Sequence, residues 1–351
     1  MLNGTLLLTL RIFSATGGIE KVSRIAGMAL YQLQQENKLD RVKILSMYDD
    51  SADVDEKYFP ATIFSGYRQH KTRFVINALK QGMNSRLVIM SHVNLLLAGS
   101  LVKLFSPATK LVLLAHGIEV WGAMPHWKKY LLRKCDQVVA VSRFTKETMM
   151  RCYGLREEKF TVLNNCLDPF LPLPAGAPGP GNSLLKRYGL TASNKVLMTL
   201  TRLSTKERYK GYDNVFYAIS DLKERYPSLK YLVVGKYDAA EMKRLSNIIH
   251  VLQLQEQVIF TGFIGDAEIA AHFSIADLYI MPSKKEGFGI VFIEALYYGK
   301  PVIAGNIDGS VDALDGGNFG LLINPDNRDE IRDAISKVLD NEAAYVPTHV
   351  R

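Results

Sequence analysis

Short apolar runs alternate with longer stretches of helical spacing along the whole chain. In the first half the runs are Leu6–Ile12, Val42–Met47, Leu87–Met90, Lys110–Ala115, Val138–Val141 and Phe160–Leu163. In the second they are Val196–Leu200, Tyr231–Val234, Val258–Ile264, Ala276–Met281, Val302–Ala304 and Gly320–Ile323. Runs this short, bounded by glycine, proline and small polar residues, predict strands buried on both faces, as in parallel sheets. Between them, Ile19–Leu33 places Ile19, Val22, Ile25 and Ala29 on one helical side. Leu95–Phe105, Pro125–Arg133, Val215–Tyr226, Glu268–Ala276 and Arg328–Leu339 also read as helices, and Ser142 is a good N-cap for another. Ile290–Tyr298 is a helix closed by Gly299 and followed by Pro301. Residues 58–79 mix Tyr67, Arg68, His70, Lys71, Arg73 and Phe74 without a decided period. About six strands in each half, alternating with helices, predict an α/β chain of two Rossmann-like domains with parallel sheets.

The boundary is compositional. Asp168–Gly181 holds five prolines and three glycines, too many for a regular element. This divides the chain into residues 1–168, a linker at 169–182, and residues 183–351. Charge changes at the same place. Through Asp168 there are 23 Lys+Arg against 14 Asp+Glu, and beyond it 20 against 21. The whole excess of the +8 chain lies in the first half, which suits an anionic membrane surface or lipid-phosphate acceptor. No nucleic-acid motif accompanies it. Pro125–Arg133 adds a basic amphipathic helix with Trp127 and Tyr130 beside Lys128, Lys129 and Arg133.

Composition is that of a globular protein, 48% hydrophobic and 22% charged. No window approaches the roughly 18 apolar residues of a membrane span. Met1–Phe13 lacks a basic leading region and reads as a first strand rather than a signal peptide. Cys135, Cys152 and Cys166 form neither a CxxC pair nor a disulfide framework, which fits a cytoplasmic protein, peripheral on the inner face of the plasma membrane.

Candidate chemistry concentrates where strands meet glycines. After Met281, the chain runs Pro282-Ser-Lys-Lys-Glu-Gly-Phe-Gly-Ile290 into a helix. Free N–H groups at Gly287–Gly289 and the positive end of that helix favour phosphate oxygens. Glu286 and Glu294 flank them with acceptors for sugar and ribose hydroxyls. Gly17-Gly18 repeats the strand, glycine turn and helix arrangement. His116-Gly117 follows a predicted strand at its carboxyl end, where open parallel sheets place their sites. Arg202 and Lys210-Gly211 follow another, as a cationic clamp for a diphosphate, with Lys206 and Arg208 as possible substitutes for Lys210.

The Glu-Gly-Phe-Gly-x4-Glu pattern from Glu286 to Glu294 resembles the signature of the retaining GT-B glycosyltransferases of family 4, the glycosyl transferases group 1. Gly17-Gly18, His116-Gly117 and Arg202…Lys210-Gly211 occur in that family's order, so the resemblance covers nearly the whole chain. It implies two Rossmann-like domains facing an interdomain cleft, the first binding acceptor and the second the nucleotide-sugar. It implies donor contacts from Gly17, Gly18, Arg202, Lys210, Gly262, Phe263, Glu286, Gly287, Phe288, Gly289, Ile290 and Glu294. His116, Glu286, Arg202 and Lys210 would carry catalysis, with no metal and no resident cofactor, the nucleotide-sugar being a substrate. The chain departs from the family at Gly235-Lys236-Tyr237, at the longer Arg202–Lys210 spacing, and in the short polar segment from Asn341, where family members carry further helices. His116-Gly-Ile-Glu-Val-Trp121 resembles bacterial polysaccharide mannosyltransferases. With Asp308-Gly309-Ser310 it turns the expectation toward GDP-mannose, ahead of UDP-hexoses, and toward a glycan or polyprenyl-diphosphate-linked acceptor. A nucleotide-sugar epimerase of the same fold and a non-catalytic glycan-binding surface protein are the competing readings.

Overall fold

The computed structural model describes residues 4–173 and 180–345. The linker at 169–182 and the segment from Asn341 therefore fall partly outside the described residues. Two compact units form, Met1–Pro169 and Phe170–Arg351.

The first unit has seven strands: β1 (Gly4–Thr9), β2 (Arg41–Ser46), β3 (Phe64–Gly66), β4 (Ser85–Met90), β5 (Lys110–Ala115), β6 (Gln137–Ala140) and β7 (Phe160–Val162). They lie in the order β3-β2-β1-β4-β5-β6-β7. Every pairing is parallel. The second unit has six: β8 (Lys195–Leu200), β9 (Leu229–Val234), β10 (Val258–Gly262), β11 (Leu278–Met281), β12 (Val302–Gly305) and β13 (Leu321–Ile323). Their order is β10-β9-β8-β11-β12-β13, again all parallel. In each sheet the strand order reverses beside the first strand, between β1 and β4 and between β8 and β11.

The continuous apolar runs have a simple cause. Leu6 and Leu8 pack on one face of the first sheet with Val88, Met90, Leu111 and Leu113, whereas Leu7 packs on the other with Ile44, Phe59 and Phe64. Both faces are covered by helices, so alternation vanishes. Each such leucine contributes about 2 kcal/mol on burial.

Several elements escaped the sequence pattern, among them the helix Pro180–Arg187, which starts within the stretch read as linker. β3 is only Phe-Ser-Gly, too short to show a period. The helix Lys71–Gly82, inside the undecided 58–79 stretch, buries Phe74, Ala78 and Gly82, of which two are small. The helix Ala239–Val251 buries Glu241, Leu245 and Ile249, so its inward stripe begins with a carboxylate. The first unit thus holds seven strands, not about six.

Candidate active site

In the second unit Arg202, Lys210 and Glu286 follow the adjacent strands β8 and β11, whereas in the first Gly17-Gly18 follows β1 and His116 follows β5, two strands away. An aspartate after the next strand braces the loop in both, buried in the first unit and partly exposed in the second. After β2, Asp49 accepts from Ile12 N at 2.6 Å, Ser14 N at 2.8 Å and Ser46 Oγ at 2.6 Å. After β9, Asp238 accepts from Thr205 N at 2.9 Å and from Glu241 N at 2.7 Å.

In the first unit, the braced loop delivers Gly17 as the N-cap of the helix Gly18–Gln35. Glu20 sits in its first turn, its carboxylate close beside Gly17. His116 follows β5. Its Nε2 lies 2.9 Å from Ser91 O, an acceptor, so Nε2 carries the proton and Nδ1 the lone pair. Nδ1 is enclosed and has no hydrogen-bond partner among the described residues. Burial pushes the imidazole down to about 4, against the opposing bond to Ser91. The ring is neutral at physiological pH. Gly117 has φ 139°, where a side chain would be strained, and lets the chain turn directly into a short helix. The Glu119 carboxylate accepts from His116 N at 2.6 Å and fixes that turn. Burial raises Glu119 and lowers the neighbouring His92. Sequence reasoning missed Glu119 as a support, although it lies within the quoted motif.

In the second unit, three loops are laced together. The loop after β8 ends at Lys210, whose Nζ pairs with Glu286 Oε1 of the loop after β11. Both side chains are largely buried, 16% and 13% exposed. Burial works against the Lys210 charge, yet the Glu286 carboxylate overrides it and holds the ammonium above its ordinary value. Gly211 has φ 74°, and a Cβ there would lie 2.2 Å from Pro282 O, so only glycine permits the approach. Lys284 N donates to Tyr209 O at 2.8 Å. From the loop after β12, Gly309 N donates to Glu286 O at 2.8 Å, and Asp308 Oδ2 accepts from Glu286 N at 2.6 Å. A Cβ on Gly309 would meet Gly287 O at 2.1 Å.

Arg202 stands beside this cluster. Its side chain is 61% exposed and touches Glu207 Oε1 at 3.4 Å. Burial raises the Tyr209 hydroxyl, Lys210 and Arg202 oppose the shift, and Glu207 and Glu286 add to it, which places the tyrosine among all four. Arg208 is instead committed to the buried Glu241, at 3.0 Å. Lys206 is exposed. Of the three cations considered, Lys210 is the one set against Glu286.

Gly287 and Phe288 are buried, and Gly289, at φ 82°, caps the helix Ile290–Tyr297. That helix ends as the sequence implied. Gly299 N bonds Leu296 O and Lys300 N bonds Ala295 O, both at 2.9 Å, a Schellman closure. Glu294 is 2% exposed on the inner face of the helix, where its charge adds to the burial that raises Tyr298. Gly262 accepts from Gly235 N at 3.0 Å at the end of β10, and Phe263 beside it is 64% exposed. The second unit therefore brings Arg202, Lys210, Glu286 and Gly287 together. Gly262 and Phe263 lie at the end of its edge strand, and Gly17, Gly18 and His116 belong to the first unit. Among the described residues, no group of three or more His, Cys, Asp or Glu side chains is arranged to hold a metal ion.

Comparison with known proteins bears directly on this arrangement. The model described as Glycosyl transferases group 1 matches residues 186–348, and that of Glycosyltransferase Family 4 matches residues 41–169. A GDP-mannose-dependent alpha-(1-6)-phosphatidylinositol monomannoside mannosyltransferase of Mycolicibacterium smegmatis is 28% identical over 341 residues, covering 90% of this chain and 86% of that protein. The Anabaena protein HepE, solved with UDP and glucose, superposes with a TM-score of 0.76 at 20% identity, covering 98% and 92% of the two chains. Sucrose-phosphate synthase of Thermosynechococcus elongatus gives 0.76 at 19% identity over 99% and 92%. The fold is that of the GT-B glycosyltransferases. With one model over each unit and the same fold throughout, the chain belongs to the family 4, group 1 glycosyltransferases.

Proposed function

We propose that this glycosyltransferase moves a hexose, mannose from GDP-mannose, onto a glycan or lipid-linked glycan, with retention at the anomeric carbon. The Lys210–Glu286 pair carries the reading. It couples a cation suited to a diphosphate with a carboxylate suited to a sugar, at the switch point of the second sheet.

In this reading the bond from the anomeric carbon to the diphosphate oxygen breaks, and charge builds on that oxygen. Lys210, Arg202 and the amides around Gly287 meet it electrostatically. A bond forms from the acceptor oxygen to the anomeric carbon on the same face, and the acceptor proton passes to the leaving diphosphate. Glu286 accepts hydrogen bonds from the sugar hydroxyls. Glu294 serves the ribose, and Phe263 lies against the base. These cations replace a divalent ion, so turnover persists in EDTA.

Mannose is favoured by the mycobacterial relative, which is GDP-mannose-dependent. A UDP-hexose is the second reading, favoured by HepE, solved with UDP and glucose. Thermal shifts with GDP, UDP, ADP and dTDP decide between them, because a ligand at free concentration L stabilises by RT ln(1 + L/Kd). A GDP shift, followed by α-linked product from GDP-mannose, supports the reading. A shift with none of the four nucleotides overturns it.

Membrane association belongs to the same proposal. No helix among the described residues is long and apolar enough to cross a bilayer. Trp127 and Tyr130 are exposed on the helix His126–Arg133, with Lys128 5.9 Å from the Trp127 ring and Lys134 5.1 Å from the Tyr130 ring. Leu97, Leu104 and Phe105 are exposed on the helix Leu96–Phe105, which packs beside it. Co-sedimentation with anionic but not neutral vesicles tests this, and equal sedimentation with both refutes it.

A further inference from the structure

Asp308 has no assigned task, yet its surroundings are specific. It is 1% exposed. Its two carboxylate oxygens divide between two amides, Oδ2 taking Glu286 N at 2.6 Å and Oδ1 taking Ser310 N at 2.9 Å. The neighbouring Gly309 N takes Glu286 O at 2.8 Å. Both main-chain polar groups of Glu286 are thus held by the loop after β12, while its side chain reaches Lys210.

We propose that Asp308 is a positioning residue that aims Glu286: its ionised carboxylate clamps the Glu286 main chain so that the side chain faces Lys210 and the bound sugar. This rests on the reading of Glu286 as a sugar contact. The chemistry requires an acid. Two N–H donors face Asp308, and only a carboxylate offers an acceptor to each. An amide satisfies one and opposes the other with its own N–H. The carboxylate also has an unfavourable setting for a purely structural group. Charged groups on the surrounding elements are Lys284, Lys285 and Glu286 after β11, Lys210 after β8, Glu294 on the following helix and Asp312 on its own. Burial, with a smaller push from the Glu286 charge, raises Asp308 to about 6 against the hydrogen bonds from Ser310 and Glu286 that favour its ionised form. Ionisation is therefore complete only above that pH, and the aim of Glu286 should weaken below it.

The test compares wild type, Asp308→Asn and Glu286→Gln. Steady-state turnover of the nucleotide-sugar selected by the thermal-shift panel is measured from pH 5 to 8.5. Hydrogen exchange of a peptide spanning residues 283–290, corrected for intrinsic rate, is followed over the same range. Asp308→Asn should lower kcat tenfold or more, change donor KM less than threefold, and remove the acidic limb of the wild-type kcat profile near pH 6. Exchange at 283–290 should rise in Asp308→Asn at every pH, and in wild type below pH 6. The wild-type exchange series needs no substitution, so it holds even where the variant folds poorly. Unchanged exchange across pH 6 in wild type, or wild-type kcat with the acidic limb intact in Asp308→Asn, overturns the proposal. Faster exchange in Asp308→Asn together with wild-type turnover in Glu286→Gln leaves the clamp standing and overturns the reading of Glu286 instead.

Discussion

Replacing Lys210 by Met isolates the central pair. Methionine keeps an unbranched apolar stem but removes the charge, leaving the Glu286 carboxylate 13% exposed without its cation. Stripping one member from a buried pair costs about 3 kcal/mol. A unit of this size loses roughly 2–4 °C of Tm per kcal/mol, so Lys210→Met should melt about 6–12 °C lower. Glu286→Gln alone should cost about 2 kcal/mol, since burial then works against Lys210 unopposed. The double variant Lys210→Met/Glu286→Gln buries neither charge and should cost about 3 kcal/mol, less than the sum of the single losses, a coupling of about 2 kcal/mol. Urea titration at pH 7.5 measures all four proteins, with m held common. Nucleoside diphosphate affinity, read by calorimetry, should fall about 10–100-fold in Lys210→Met, the worth of a charge-assisted hydrogen bond, and should not return in the double variant. Single-variant losses that simply add, within about 0.5 kcal/mol, would refute the coupling.

Other consequences are equally direct. Gly309→Ala places a Cβ 2.1 Å from Gly287 O, so we expect a loss of about 2–3 kcal/mol and slower sugar transfer; a wild-type melting curve contradicts this. Asp49→Asn removes an acceptor from a buried group that holds three donors and should cost about 2 kcal/mol, with faster amide exchange over residues 12–18; unchanged exchange there contradicts the bracing role. Arg202→Ala should leave Tm unaltered, because the side chain is 61% exposed, while weakening diphosphate binding about tenfold; equal calorimetric affinity refutes it. His116 titrates near 4 when folded, below its ordinary 6.5. Its contribution to stability is therefore present above pH 6.5 and is lost as pH falls through 4, up to about 3 kcal/mol. Urea titrations of wild type and His116→Asn from pH 7.5 to 4 should converge in acid, and parallel curves would contradict the assignment.

Most of the fold was legible because strands buried on both faces leave unbroken apolar runs. Lys110–Ala115 was delimited without error, and the Gly299 closure followed from its residue types. What failed did so for local reasons. The helix Ala239–Val251 hides its inward face behind Glu241, which is held by Arg244 one turn on and by Arg208 and Tyr212 from positions that sequence order does not connect. In the site, the clustering of Lys210 with Glu286 was implied by the resemblance to the family. Lys210 was its candidate too, with Lys206 and Arg208 left as substitutes; what closes off Arg208 is its bond to Glu241, 33 positions away. Asp308 was visible as a letter in the Asp-Gly-Ser loop, but its distant amide partner, Glu286 N, emerges only when β12 lies beside β11.

The matching aspartates Asp49 and Asp238 have a consequence for how such a chain can change over generations. Each anchors the segment after its sheet's first strand from outside that segment. Residues added between Arg202 and Lys210 then cost only the slowly growing entropy of a longer span, since the tether at Thr205 and the docking of Lys210 on Glu286 are supplied by other strands. Variation in length at this position is tolerated by construction, and recognition of a new donor can be tried there without disturbing the sheet beneath.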